Sequence, residues 1–457
     1  MTKSMTKGNP VKLMLVFMIP LLFGNIFQQT YNVIDAAIVG LNLGKLALAS
    51  VGATSSVLFF VIGFCSGMTA GCSVPVAQKF GAGDIKSMKD YIFHGFIVSL
   101  VSAIVVTLLT TFLCHNILHF LSVEAEIYDD AYKYLFVIFL GIPCVIFYNF
   151  FAGILRAVGD SKTPFTALVI STIINIILDL FFIKVVKLGC TGAALATIIS
   201  QFISAVILLV YIVLKMQLLH PKKENMEIDK KKLSVTIGIG LPMGLQFSIT
   251  AIGSMVMQSA NNGLGTLYTT AFSSAMKIKA FAMCPFDALA AAVATYVGQN
   301  YGAGLIDRVK KGIMQAMYIG FTYGLFIGIV LIFFGKPLNL IFVSANETDV
   351  INCAGQYLRC LGFFFWALGI LNVFRMAVQS LGYTGRALIS GVLEMIARVL
   401  ASTIFVPIYK FDAICFIDQT AWLTGAIYIS IITFITFKTI SKKNIRSNDV
   451  GLKTETH

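Results

Sequence analysis

Long apolar runs separated by short polar breaks make up nearly the whole chain. Runs long enough to cross a bilayer lie near residues 11–39, 46–77, 91–112, 131–155, 163–184, 191–214, 233–262, 269–298, 312–334, 351–380, 385–408 and 413–438. The pattern predicts an all-α integral membrane protein with twelve transmembrane helices. The first run is too long for a cleaved signal peptide, and no small-residue cleavage site ends it.

The polar breaks set the orientation. Lys3, Lys7 and Lys12 precede the first run, and alternate breaks carry Lys79, Lys86 and Lys89, then Arg156 and Lys162, then Arg308, Lys310 and Lys311. Between them, segment 113–130 has no Lys or Arg and holds Glu124, Glu126, Asp129 and Asp130. Basic residues favour the cytoplasmic side, so both termini are expected there, in a bacterial-type cell (inner) membrane. Composition agrees: of 457 residues, 58% are hydrophobic and only 12% charged, against about 25% charged in soluble domains. The net charge of +13 is therefore a topological signal, and no nucleic-acid partner is expected. The nine cysteines lie mostly in apolar runs without CxxC spacing, which excludes a disulfide framework or zinc site as their reading. A nucleotide-driven pump lacks its phosphate loop, because no Gly-x-x-x-x-Gly-Lys-[Ser/Thr] occurs. Neither a metal-ligand cluster nor a nucleophile–base pair is found at membrane depth, so an enzyme is not expected and no cofactor is implied.

The chain repeats itself. Val76-Ala77-Gln78-Lys79-Phe80-Gly81-Ala82-Gly83 returns as Val297-Gly298-Gln299-Asn300-Tyr301-Gly302-Ala303-Gly304, Pro20 as Pro242, and Gly159 as Gly382. An even number of spans per copy gives both copies one orientation. The expected domains are an N-terminal six-helix lobe (1–214), a cytoplasmic linker (215–232), a second six-helix lobe (233–438) and a cytoplasmic tail (439–457). The Lys-rich linker reads as a solvated tether.

Within the fifth run, Asn175 and Asp179 stand one helical turn apart on one face. A carboxylate at membrane depth costs roughly 2.5–3.5 kcal/mol on insertion scales, so Asp179 is a functional candidate, able with Asn175 to hold a cation or a proton. The repeat maps Asn175 near Arg398, Asp179 near Ser402 and Asp35 near Met257, so the polar cluster belongs to the first lobe alone. Other features describe packing. Gly63, Gly67 and Gly71, and Gly320, Gly324 and Gly328, form small-residue stripes. Pro20 and Pro242 interrupt helical hydrogen bonding. Glu394 and Arg398 read as a mutual ion pair. Asp287 reads either as counter-ion to Lys277 or Lys279 or as a substrate contact. Met257, in a Met-rich second lobe, is a second candidate substrate contact.

Taken together, Pro20, Gln28, Tyr31, Asn32, Asp35 and Gly40, the Gln-x-x-Gly-Ala-Gly turn, Leu155-Arg156-Ala157-Val158-Gly159-Asp160-Ser161-Lys162-Thr163-Pro164, and Asn175 with Asp179 resemble the multidrug and toxic compound extrusion (MATE) family. The resemblance covers essentially the whole chain. It implies two six-helix bundles around a central cavity, alternating access, and export of organic cations or drugs in exchange for H⁺ or Na⁺. The chain is similar to the branch with its coupling site in the N-terminal lobe. That likeness implies cation coupling at Asp35, Asn149, Asn175, Asp179 and Thr197, supported by Tyr31 and Pro20, with Na⁺ as a candidate at Asp35, Asn175 and Asp179. Membrane lipid is the expected surrounding and a monomer the expected state. The alternative is a flippase for lipid-linked precursors, favoured if several of Lys277, Lys279, Arg375 and Arg398 line a groove.

Overall fold

The computed structural model describes residues 4–121 and 123–454, with side chains through Ser441. Its long helices are α1 (Pro10–Leu43), α2 (Lys45–Gly81), α3 (Ile85–Phe120), α4 (Ala125–Leu140), α5 (Ile142–Ala157), α6 (Lys162–Leu180) and α7 (Cys190–Lys215). The second half follows with α8 (Lys230–Asn262), α9 (Thr266–Gly302), α10 (Ile306–Asn339), α11 (Thr348–Ser380), α12 (Thr384–Leu400), the short α13 (Val406–Tyr409) and α14 (Phe411–Thr454). Eleven spans are long and apolar enough to cross a membrane, and the bent pair α4–α5 makes the twelfth. The side chains of the expected tail beyond Ser441, and residues 455–457, lie outside the described residues.

Local chemistry explains where helices begin. Asn9 caps α1 by accepting from the Val11 and Lys12 amides, with Pro10 at the first position, where a missing N–H is harmless. Asp84 caps α3 and Asp229 caps α8 in the same way. Asp160 accepts from the Lys162 and Thr163 amides and the Thr163 hydroxyl, which starts α6 just after Gly159 turns the chain at φ +88°.

The fourth predicted span is not straight. It bends by 43° at Gly141, between α4 and α5. Pro143 removes a helical donor in the first turn of α5, and a Cβ on Gly141 would overlap the Ile198 side chain of α7. The linker also departs from its expectation as a solvated tether. It forms two short 3₁₀ turns, Gln217–Leu219 and Lys223–Asn225, and docks on α3. Asn225 is buried and donates to Asp90 (2.6 Å), Lys232 pairs with Asp90, and the Asp229 amide donates to His94. Lysine counting records the charge of such a segment but not the buried Asn, Asp and His that anchor it.

The backbone carries the sequence repeat. Gly83 and Gly304 both turn at φ +73°, Gly159 and Gly382 at +88° and +89°. Five-residue π-helical segments, Phe181–Val185 and Ala401–Phe405, end α6 and α12. The halves meet most closely along α2 and α8, where a Cβ on Gly71 would stand 2.5 Å from the Gly240 Cα, so Gly71 admits backbone contact. Near the chain's N-terminus the seam is reciprocal. Gln78 donates to the Ser380 carbonyl and Gln299 to the Ala157 carbonyl, both at 2.8 Å. Gly81 and Gly302 lie flat on the backbone of Gln299 and Gln78, with no room for a Cβ. Met5 is buried there, its amide donating to Gln299 and its carbonyl accepting from Asn300. The Gln-x-x-Gly-Ala-Gly turn is thus the device that closes the two halves at this end.

Candidate functional site

The first half encloses a cavity of about 360 Å³, lined from α1, α2, α4, α5, α6 and α7. Along α1 the lining runs from Pro20 through Gly24, Gln28 and Tyr31 to Asp35. These positions recur every three to four residues, so one face of the helix looks inward. Asn149 and Thr197 complete the sequence-predicted part of the lining. Gly141, at the bend between α4 and α5, lies on the wall, so the bend shapes the space.

Asn175 and Asp179 do not line this cavity. They lie behind Asp35, 2% and 0% exposed, one turn apart on α6 just before its π-helical end. The Asp35 and Asp179 carboxyls face each other closely enough to form a hydrogen bond when one carries a proton. Asp35 Oδ1, both oxygens of Asp179 and both side-chain polar atoms of Asn175 are buried without a protein hydrogen-bond partner. Buried polar atoms are nearly always satisfied, so five unsatisfied ones in one spot make this a candidate ion site. Two adjacent carboxylates at low dielectric require a proton or a cation between them. The donor set (carboxylate and amide oxygens, without sulfur or imidazole) suits a hard cation as well as a proton.

Other polar groups stand around this pair. Thr197 donates to the Ala193 carbonyl, so its oxygen is free to accept from the Tyr31 hydroxyl at 3.3 Å. Asn149 ties its amide to the Val145 carbonyl at 2.9 Å and joins the wall. Tyr134, 6% exposed, faces Asp35 and Asp179 and is not among the residues the sequence motifs single out. Its signal was available, since a tyrosine at membrane depth carries a hydroxyl in need of a partner. Gln201 was missed as well. It stands one turn after Thr197 on the same face of α7, a spacing like that of Asn175 and Asp179.

Among the described residues, the second half holds no counterpart. Asp418 accepts from Tyr357 at 2.7 Å, from Arg398 at 3.2 Å and from Lys279, while Arg375 pairs with Glu394. The expected Glu394–Arg398 pair is therefore corrected. Their i,i+4 spacing puts them on one face, but each reaches a partner on another helix. Asp287 is not the counter-ion of Lys279, which is turned to Asp418, and Lys277 sits over the Phe342 ring. Asp287 is exposed on α9 and has no ion pair among the described residues. Met257, expected at a substrate surface, is 2% exposed in the second-half core and away from the cavity. Methionine count could not separate a binding wall from a core.

Comparison with known proteins matches the repeat and the fold. The MatE family model matches residues 20–181 and again 242–404, starting at Pro20 and at Pro242. The chain is 30% identical over 381 residues to the "Probable multidrug resistance protein YpnP" of Bacillus subtilis (strain 168), covering 82% of this chain and 84% of that one. Among solved structures, it superposes on "Crystal structure of MATE in complex with MaL6" with a TM-score of 0.89 at 23% identity, covering 97% of this chain and 100% of the other. A second, "Outward-facing conformation of a multidrug resistance MATE family transporter of the MOP superfamily", gives 0.88 at 22% identity over 95% and 97%.

Proposed function

The chain belongs to the MatE family of transporters, and from that membership we propose that it is a secondary active multidrug efflux antiporter, exporting organic cations in exchange for H⁺ or Na⁺. The observation that carries this reading is the unsatisfied Asp35–Asp179–Asn175 cluster behind a cavity of substrate size. Asp35 belongs to both, so it links what fills the cavity to what neutralises the buried pair.

The cycle follows from that linkage. The closed seam of Gln78, Gln299 and Met5 lies on the cytoplasmic side in this reading, and the cavity opens outward. An incoming H⁺ or Na⁺ neutralises the carboxyl pair, the Asp35 carboxyl stays held against Asp179, and a cationic substrate loses its counter-charge and leaves. With the seam parted on the cytoplasmic side, the ion departs and Asp35 again faces a substrate. Alternating access then moves the two six-helix lobes against each other, with 215–232 as the cytoplasmic connection and Pro20 as the bend in α1. The protein works as a monomer in the inner membrane.

The flippase alternative loses its support. Lys279, Arg375 and Arg398 are buried in ion pairs, and none of them lines the cavity. The test is ethidium efflux from proteoliposomes under separately imposed pH and Na⁺ gradients. One gradient should drive ethidium uphill. Efflux indifferent to both would refute antiport.

A further inference from the structure

At one pair of repeat-related positions the two halves carry opposite chemistry. The repeat that puts Asn175 and Asp179 on α6 puts Arg398 on α12 and Ser402 just beyond its end. Both helices run into a five-residue π-helical segment here, Phe181–Val185 and Ala401–Phe405, a feature frequent at functional sites. Arg398 and Ser402 are each 4% exposed and stand one turn apart. Among the described residues, the Arg398 Nη1 and the Ser402 hydroxyl are buried without a hydrogen-bond partner, as are the side-chain polar atoms of Asn175 and Asp179. In the first half the unsatisfied atoms are mostly acceptors. In the second they are groups that donate.

The charge of the surrounding network does not close. Three buried cations, Lys279, Arg375 and Arg398, face two buried carboxylates, Glu394 and Asp418. Glu394 is taken by Arg375. Asp418 is shared, accepting from the Lys279 ammonium, from Arg398 Nε and Nη2 at 3.2 Å, and from the Tyr357 hydroxyl. With ordinary protonation one positive charge is left over at membrane depth, where an uncompensated charge is strongly unfavourable. It is unanswered on the edge of Arg398 that Asp418 does not reach. Arg375, whose Nε is also buried and unpaired, lies close enough to repel Arg398 rather than relieve it. On the α8 side the neighbour is Gly253, where a Cβ would stand 3.2 Å from the Arg398 Cδ, followed one turn later by Met257. Gln379 and Gln419 keep unpartnered carbonyl oxygens, but a neutral amide meets a hydrogen bond and leaves the charge.

We propose that the second half holds a small monovalent anion, chloride, at Arg398 and Ser402, in the place that the repeat gives to Asn175 and Asp179 in the first half. A guanidinium N–H and a hydroxyl both donate to a halide, and the anion's charge balances the network. Burial selects a single-atom ion over a large hydrated one. The site stands whether or not the first-half cluster couples transport. Its test is thermal unfolding of the purified full-length protein in detergent, with chloride titrated against gluconate at fixed Na⁺ and pH. The melting temperature should rise with chloride as it does for a ligand that binds only the folded state, and bromide should replace chloride. S402A removes one donor and leaves every ion pair in place, so it should raise the half-saturating chloride concentration at least about tenfold. R398M leaves Lys279–Asp418 and Arg375–Glu394 as balanced pairs and should be indifferent to chloride. Crystals grown in bromide should show an anomalous peak within hydrogen-bonding distance of the Arg398 Nη1 and the Ser402 hydroxyl. If R398M does not fold, the S402A titration and the bromide position decide. Equal melting temperatures in chloride and gluconate would overturn the anion site. So would a chloride effect unchanged in S402A, or bromide found only at other places.

Discussion

Asp179 and Asp418 are both buried carboxylates at membrane depth, and their surroundings give them opposite roles. Asp418 is surrounded by Lys279, Arg398 and Tyr357, so it holds the second half together. Asp179 has no protein donor among the described residues, which in the proposed antiport leaves it to the coupling ion. Breaking a buried pair from one side costs about 3–5 kcal/mol because the remaining charge is stranded. D418N should therefore lower expression and thermal stability in detergent markedly, and K279M/D418N, which removes one charge of each sign, should recover part of the loss. A D418N melting temperature equal to that of wild type would remove the network from the account. At this scale the sequence was informative where composition alone singles a residue out. Asn175 and Asp179 were legible because a polar pair one turn apart is rare in an apolar run. The partners of Glu394, Arg398 and Lys279 were not, because long side chains choose among helices that meet only in three dimensions.

At the scale of elements, twelve apolar runs translate into twelve spans because a bilayer fixes helix length. What the runs could not convey is the bend at Gly141, which depends on Ile198 of another helix, and the docking of 215–232, which depends on Asp90 and His94 of α3. The repeated Gln-x-x-Gly-Ala-Gly turn was legible as a pattern, and its purpose emerged only when Gln78 met Ser380 and Gln299 met Ala157 across the seam. Each amide satisfies a carbonyl at the end of a helix in the opposite half. Losing one such donor leaves a buried acceptor unmet, at about 1–3 kcal/mol. Q78A/Q299A should therefore shift the population away from the closed seam. A single cysteine at Thr295, on a background without other cysteines, should react with thiol reagent at least about tenfold faster in the double variant. Equal labelling rates would mean that the seam is held by glycine packing alone.

For the whole molecule, the constraint is energetic. Exporting a monovalent cation against 100 mV costs about 2.3 kcal/mol, which one entering monovalent ion cancels under the same potential. One-for-one exchange then gains only the chemical gradient, about 1.4 kcal/mol per pH unit. A thousandfold substrate gradient needs about 4.1 kcal/mol, so a second coupling charge or a large pH difference is required. Asp35 and Asp179 supply two carboxyls in contact, one reached from the cavity and one sealed behind it. The lobes can differ in this way because the repeat fixes helices and turns, not the polar residues between them. Gly83 and Gly304 share a backbone angle, whereas the positions of Asn175 and Asp179 are taken by Arg398 and Ser402 in the second copy.

The central claim is that these two carboxyls couple the ion to the substrate. Its most direct test is the reversal potential of ethidium flux in proteoliposomes holding wild type, D35N or D179N, under the gradient that drives the wild type. Each variant should still bind ethidium but show no uphill efflux, its flux reversing where the ethidium gradient alone is balanced. Uphill efflux with the wild-type stoichiometry in either single variant would show that its carboxyl is not a coupling group, and would contradict the mechanism.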